Sequence, residues 1–408
     1  MNAIKNKDNY FRNDEYLYLC ENNKKLEIKV RKMNEKKYLI IIPTKKIGGT
    51  NTSLNEFVTY LAKKRVSVDI LCLDHQGNFI PDKCSILSED MILKALISPK
   101  KAFLSANIKE KISISLLYLL QPLKYKLCCH ELNKITNINE YDVIIAYEEG
   151  ETTKFVSNIV FDKKIAWIHC DYMRLYEKKD IKIYKNYSKI ICVSNTTRNS
   201  FIKCFPEFNN KTFRLYNLLN VDTILNKSKS VIDYKKDKFL IISVGRLDRV
   251  KQFDKLPIIA KQLKEKGLEF EWLLIGDGSR IYKKEILEEI ERHSVNDYFK
   301  LIGEIKNPYP YMLLADLVVC SSISEACPYV IKEAMVLNKF IISNDFTSAN
   351  EMLNEYTNSC ICRLDKFCDA IFKIYVERRL EKKVLFNYEN VNKNIEQEYD
   401  AFFNLQEG

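Results

Sequence analysis

Glu325 and Glu333 stand eight residues apart in the segment SISEACPYVIKEAMVLNKFIIS. An ionised carboxylate accepts two hydrogen bonds side by side, so each can hold a vicinal diol such as a sugar or a ribose presents. Pro328 lies between them. Proline suits the first position of a helix, where its missing N–H would have been unpaired anyway. Free amides and partial positive charge at a helix start favour a phosphate. Ala326, Cys327, Pro328, Tyr329 and Val330 surround that start and are expected to line the same ligand. Two glutamates at this spacing are more often solvated charge. What favours chemistry is the strand-like run DLVVCSS directly before them.

A second group lies upstream in SVGRLDRVK. Gly245 ends an apolar run, and Arg246 and Lys251 follow it. An arginine forks onto phosphate oxygens and a lysine adds a point charge. Taken alone, such a segment is more often a solvated basic turn. In the first half of the chain, Gly48-Gly49 follows the apolar run KKYLIIIPT, where glycine lets backbone approach a ligand or simply makes a turn. His169 closes the run IAWIH. Lone histidines are more often structural, but a place at a strand's carboxyl end suits a site. Glu148 and Glu149 in AYEEG could touch a substrate or face solvent. There is no G-x-G-x-x-G, which argues against a dinucleotide oxidoreductase. No CxxC pair or other metal-ligand spacing occurs, and no D-x-D stands at a strand end, so no metal is expected.

These residues need elements to position them. KKYLIIIPT is continuously apolar, as a strand buried on both faces must be. The glycine loop and a helix-like stretch from Ser53 to Lys64 follow, with Leu54, Phe57, Val58 and Leu61 on one face. SVDILCLD then completes a βαβ unit. YDVIIAY, KIAWIH and KIICVS continue a first parallel sheet, and Ser194 reads as the cap of the next helix. The same pattern restarts at Lys238 with KFLIISVGRL, FEWLLIGDG, YFKLIGE, DLVVCSS and KFIISND, with amphipathic helices over 254–266 and 280–293. The expected architecture is α/β, with two doubly wound Rossmann-like domains facing each other across a cleft. The boundaries are a polar N-terminal extension (1–36), a first Rossmann-like domain (37–220), a linker (221–237), a second Rossmann-like domain (238–385) and a C-terminal helix (386–408) packing back on the first domain. Asn217 marks the crossover.

SISEACPYVIKEAM resembles the E-x7-E signature of glycosyltransferase family 4, whose members have the GT-B fold. SVGRLDRVK, GDG (276–278), GE (303–304) and W-x-H at 167–169 occur in that family's order. The resemblance is strong over about 238–352 and weaker over 37–220. It implies a retaining transfer of a sugar from a nucleotide-diphosphate donor, a UDP-sugar above all, to a hydroxyl of a growing glycan or lipid-linked saccharide. On the matching positions, Glu325 and His169 would meet the donor sugar, Glu333 the ribose, and Arg246 and Lys251 the diphosphate. Ile305 to Tyr309 would lie near the base, and Gly48-Gly49 near the diphosphate and acceptor. With the basic residues stabilising the leaving group, metal independence and the absence of any cofactor beyond the donor substrate follow. The sequence departs from the family pattern at Ala326-Cys327, where a Gly-aromatic pair is common. It also departs at Asn338, where glycine usually ends the helix and asparagine is the next-best left-handed cap, and at TSANE (347–351), which keeps the glutamate without the preceding glycines.

The chain has 408 residues, suiting two domains, and a formal net charge of +11 that is spread rather than concentrated. Without a basic face or motif, nucleic acid is not an expected partner. The 13 cysteines are scattered and fit a reducing cytosol. No signal peptide or spanning segment is visible. Lys100 to Lys126 mixes lysines with an apolar run and is expected either as a core helix or as a peripheral contact with anionic membrane at its inner face. The alternative to an enzyme is a non-catalytic GT-B partner subunit, which would be expected to have lost Arg246, Lys251, Glu325 and Glu333.

Overall fold

The computed structural model describes residues 10–12, 15–22 and 25–32 by their backbone, and 36–44, 48–74, 81–87, 123–377 and 386–405 in full. Most of the basic apolar stretch Lys100–Lys126 lies outside the described residues.

The polar N-terminal stretch carries three antiparallel strands, β1 (Tyr10–Arg12), β2 (Glu15–Asn22) and β3 (Lys25–Lys32), paired in that order. The first parallel sheet follows, with β4 (Lys37–Thr44), β5 (Ser67–Asp74), β6 (Ser85–Ile86), β7 (Val143–Tyr147), β8 (Lys164–Ile168), β9 (Lys189–Cys192) and β10 (Thr212–Arg214). Its strand order is β10-β9-β8-β7-β4-β5-β6. Around it lie α1 (Gly49–Lys63), α2 (Lys124–Ile135), α3 (Glu151–Ser157), α4 (Ile181–Tyr184) and α5 (Asn195–Cys204). The apolar face of α1 is buried at Leu54, Phe57, Val58 and Leu61, as its 3.6-residue period requires. Ser194 caps α5 by accepting from the Thr197 N–H at 3.1 Å.

The chain crosses between domains at residues 215–220. Leu218 belongs to the first domain's core and Leu219 to the second's. The region expected as a linker opens with a helix, α6 (Val221–Ser228), whose Asn220 cap accepts from the Thr223 N–H at 2.9 Å. Ile224 anchors it in the second domain's core. Tertiary burial of that one side chain outweighs the polar composition around it.

The second sheet comprises β11 (Phe239–Val244), β12 (Phe270–Ile275), β13 (Phe299–Gly303), β14 (Leu317–Cys320), β15 (Phe340–Asn344) and β16 (Ser359–Cys362). Its order is β13-β12-β11-β14-β15-β16 and every pairing is parallel. The helices are α7 (Leu256–Glu265), α8 (Arg280–Arg292), α9 (Tyr309–Leu314), α10 (Tyr329–Val336), α11 (Ala349–Leu353) and α12 (Phe367–Val376). Finally α13 (Tyr388–Phe403) returns to the first domain. Phe403 and Tyr399 pack on Phe57 with ring centroids 5.5 and 5.8 Å away, and Asp400 accepts from the Tyr60 hydroxyl at 2.5 Å and pairs with Lys64 at 2.8 Å. The two crossings touch: Asn392 of α13 accepts from the Leu219 N–H at 3.1 Å.

Candidate active site at two facing switch points

Each sheet reverses its strand order once, and a reversal opens a crevice outside the carboxyl ends of the two strands. In the second sheet the reversal lies between β11 and β14. Gly245 and Arg246 follow the first of these strands, and Ser321 to Glu325 follow the second. In the first sheet it lies between β4 and β7. Gly48-Gly49 follows β4, Glu148-Glu149 follows β7, and His169 follows the neighbouring β8. The residues singled out by type and spacing therefore collect at two topologically equivalent places.

Lys251 and Glu325, 74 positions apart, meet at 2.5 Å. Ser322 donates to the same Glu325 oxygen at 2.8 Å, and Ser321 donates to the Lys251 carbonyl at 2.6 Å. The Ile323 N–H donates to the Val250 carbonyl at 2.9 Å, so backbone also joins the two loops. Burial works against the Lys251 ammonium, but the Glu325 carboxylate outweighs it and the pKa stands above the ordinary lysine range. Gly245 makes room for this pair: a Cβ there would lie 3.5 Å from Lys251 Cε and 3.4 Å from the Phe253 ring. Behind it, Gly276 has φ +152°, and its Cβ would fall 1.9 Å from the Gly245 carbonyl oxygen. Only glycine lets the loops after β11 and β12 run this close. The serines were missed because hydroxyls before a glutamate carry no period or spacing of their own.

Glu333 sits on the second turn of α10 and accepts from the Tyr309 hydroxyl at 3.0 Å. Burial pushes its carboxyl up to about 7, against the opposing effect of that hydrogen bond. Ile305 belongs to the same apolar cluster as Tyr309, beside it. The helix start differs in detail from expectation. Pro328 is the N-cap, with φ −69° and ψ 120°, one place earlier than the first helical position. The Cys327 thiol is buried and packs 3.9 Å from the Met352 sulfur. The Tyr329 hydroxyl donates to the Leu218 carbonyl of the hinge at 3.1 Å. Cys327 and Tyr329 thus spend their side chains on packing and hinge contact, and what the helix start offers a ligand is backbone N–H, together with the partly exposed Ala326 and Val330. Asn338 has φ +51° after the helix, the left-handed cap its type suggests.

Arg246 is not drawn into the Lys251–Glu325 pair. Its side chain is 69% exposed and its guanidinium meets Asp248 at 3.2 Å. It faces the first domain closely enough to act on Glu148. Burial, then the neighbouring Glu149, push the Glu148 carboxyl up to about 7, with Arg246 opposing. Glu148 also holds φ +137°, a strained backbone for a residue with a side chain, of the kind that concentrates at functional sites. Glu149 accepts from the His169 N–H at 2.9 Å. The His169 ring packs on Tyr147, with centroids 4.8 Å apart, and its Nε2 is buried with no hydrogen-bond partner. Burial lowers its pKa to about 3, so the imidazole is neutral and can accept from or donate to a hydroxyl. Gly49 borders the second domain: a Cβ there would lie 3.9 Å from the Tyr329 ring. Among the described residues no group of three or more potential ligands could hold a metal ion, and no helix is long and apolar enough to cross a membrane.

Residues 226–368 match the family model described as glycosyl transferases group 1. An uncharacterized glycosyltransferase of Methanocaldococcus jannaschii is 26% identical over 56% of this chain and 61% of its own length. The chain thus spans less than two thirds of that relative. The N-acetylgalactosamine-N,N'-diacetylbacillosaminyl-diphospho-undecaprenol 4-alpha-N-acetylgalactosaminyltransferase of Campylobacter jejuni is 27% identical over 67% of this chain and 69% of its own. Among solved structures, Anabaena HepE in complex with UDP superposes with a TM-score of 0.67 at 16% identity, covering 90% of this chain and 99% of that one. That likeness concerns the fold.

Proposed function

We propose that this chain, whose residues 226–368 belong to the glycosyl transferases of group 1 on a GT-B fold, transfers a sugar from a UDP-sugar to a hydroxyl of a glycan or lipid-linked saccharide in surface polysaccharide biosynthesis, with retention of configuration. The observation that carries this reading is the convergence of Lys251–Glu325 and Tyr309–Glu333 on one switch point. Glu333 accepts from the two ribose hydroxyls, and Tyr309 and Ile305 border the base. The α10 amides and Lys251 take the diphosphate, joined by Arg246, which is free to swing in. Donor binding exchanges partners: phosphate oxygens replace Glu325 on Lys251, and sugar hydroxyls replace Lys251 on Glu325. As the glycosidic bond to phosphate breaks, negative charge grows where Lys251 and Arg246 already stand, which lowers the barrier without reorganisation. In a front-face attack the acceptor hydroxyl passes its proton to the departing phosphate, while neutral His169 holds a sugar hydroxyl. These cations take the role a metal ion would otherwise have. The complex of HepE with UDP and the lipid-linked substrate in the Campylobacter enzyme's name support the donor and acceptor classes.

A panel of nucleotide sugars tested for thermal stabilisation and slow hydrolysis is the direct experiment. At least one UDP-sugar should stabilise the protein and be hydrolysed at a rate unchanged by EDTA. No stabilisation by any nucleotide sugar at millimolar concentration would overturn the reading, and inhibition by EDTA would overturn its metal independence.

A lipid-linked acceptor lies at a membrane, and we place the protein peripherally on the anionic inner face. The support is the segment after His169. Met173, Leu175, Tyr176 and Ile181 are exposed large apolar side chains, interleaved with exposed Arg174, Lys178, Lys179, Lys182 and Lys185. Apolar insertion together with basic attraction is the composition of a membrane-surface contact. Co-sedimentation with phosphatidylglycerol vesicles should fall at least severalfold in a Leu175→Ser/Ile181→Ser variant. Equal sedimentation of variant and wild type would remove this contact.

A further inference from the structure

Glu351 lies on α11 in the second domain, yet its carboxylate accepts from the first domain and the hinge. Its Oε1 accepts from the Asn195 N–H at 2.6 Å and from the Tyr216 hydroxyl at 2.5 Å. Its Oε2 accepts from the Thr196 N–H and the Thr196 hydroxyl, both at 2.9 Å. Asn195 and Thr196 open α5, and Ser194 already serves the next amide, that of Thr197. The start of α5 is therefore completed by a carboxylate from the other domain. The helix's partial positive charge and four donors on one ionised group make this a strong cross-domain contact. The Thr196 hydroxyl also reaches the Thr347 carbonyl, at 3.4 Å.

On its own side, Glu351 is one turn from Ser348, the N-cap of α11, whose hydroxyl donates to the Glu325 carbonyl at 2.7 Å. Asn344, at the end of β15, donates to the Ser322 carbonyl at 3.0 Å. The loop that carries Glu325 is thus held by the same short segment that grips α5. A five-residue helix connects the position of the first domain to the carboxylate assigned to the donor sugar.

We propose that Glu351 is a positioning residue: it latches α5 at the closed inter-domain angle and couples that angle to the Glu325 loop. The proposal rests on the glycosyltransferase reading of the site, with the first domain bringing the acceptor. Opening the cleft separates Glu351 from its three donors on α5, and closing it restores them. Glu351 touches no substrate, so its removal acts on the arrival of the acceptor domain rather than on nucleotide binding. UDP lacks the sugar that Glu325 would hold, so its affinity reports chiefly the nucleotide contacts of the second domain.

The test compares wild type, Glu351→Ala, Glu351→Gln and Tyr216→Phe by small-angle scattering with saturating UDP, by UDP titration and by turnover. Glu351→Ala should lower kcat about 30-fold, with the UDP dissociation constant within about threefold of wild type. Its UDP-bound radius of gyration should exceed that of wild type. Glu351→Gln keeps acceptor oxygen for one pair of donors and should recover part of both losses; Tyr216→Phe should show a fewfold version of the same pattern. Should the alanine variant fail to fold, these two milder variants carry the comparison. Wild-type turnover and scattering in all three would overturn the latch. So would a fall in UDP affinity parallel to that in kcat, which would make Glu351 a prop for the donor domain. The scattering comparison needs no activity, so it judges the latch even if no sugar is transferred.

Discussion

Glu333→Ala should weaken UDP binding about a hundredfold, measured by calorimetry at pH 8. A buried carboxylate accepting two ribose hydroxyls makes two charge-assisted hydrogen bonds, each contributing about 1.5–3 kcal/mol, and the alanine variant leaves both hydroxyls without an acceptor. The pH dependence gives a second signature. Burial holds the free carboxyl near 7, so below that pH it carries a proton that a two-hydroxyl contact must expel. UDP affinity should therefore rise with pH up to about 7 and level off above it, and Glu333→Gln should abolish the slope. The stability of the free protein should show the opposite trend. The folded pKa lies above the unfolded value of 4.5, so this group's stabilising contribution is fully present below 4.5 and is lost as pH rises through about 7. Glu148 shifts in the same direction, and the glutamine variant separates the two. A pH-independent UDP affinity in the wild type, or a Glu333→Ala variant binding UDP normally, would remove Glu333 from the ribose.

Lys251→Met should lower kcat about a thousandfold and raise KM much less. In the proposed reaction the ammonium's main work would come as charge builds on the leaving diphosphate, where a fixed cation in a half-dry site is worth several kcal/mol. The same substitution strands Glu325, whose side chain is only 17% exposed. Breaking a fully buried pair costs about 3–5 kcal/mol, and the residual exposure here reduces this to about 2 kcal/mol, readable in urea denaturation. Lys251→Met/Glu325→Gln should recover most of that stability and none of the turnover. A double variant whose stability equals the sum of the two single losses would show that the 2.5 Å contact is not an energetic pair.

Continuous apolar strands and glycine loops made the two parallel sheets legible, because such strands must be buried on both faces. The pairs Lys251–Glu325 and Tyr309–Glu333 were legible only as members of separate segments. Nothing local says that positions 251 and 325 meet; the reversal between β11 and β14 brings them together. The stretch from Asn217 to Asp237 reads as linker because its polar residues dominate, although Ile224 anchors a helix there. KLEIKVRK alternates polar and apolar residues, as strands do, and EYLYLCEN carries a five-residue apolar run, but highly charged flanks mask both signals. Ala326 to Val330 were chosen by proximity to a helix start. Sequence cannot distinguish a backbone contact from a side-chain contact, so Cys327 and Tyr329 were expected to face the ligand and instead face Met352 and the hinge. Glu351 carries no local sign of its role, since its partners lie more than 130 positions away.

The chain passes between its domains twice, at residues 215–220 and again at the entry to α13, and the passages are bonded to each other through Asn392 and Leu219. A single tether is a universal joint; two tethers side by side are a door hinge. Opening is then a swing about the line through both passages, with little twist, so the two switch points face each other at every angle of the swing. On the proposed reading, substrate would enter and product leave without the two faces losing their register. It also means the first domain is not one contiguous stretch of chain. Its core is finished by a helix that follows the whole second domain in the chain, so on the ribosome Phe57 and Tyr60 wait for Tyr399 and Phe403 until that domain has been made.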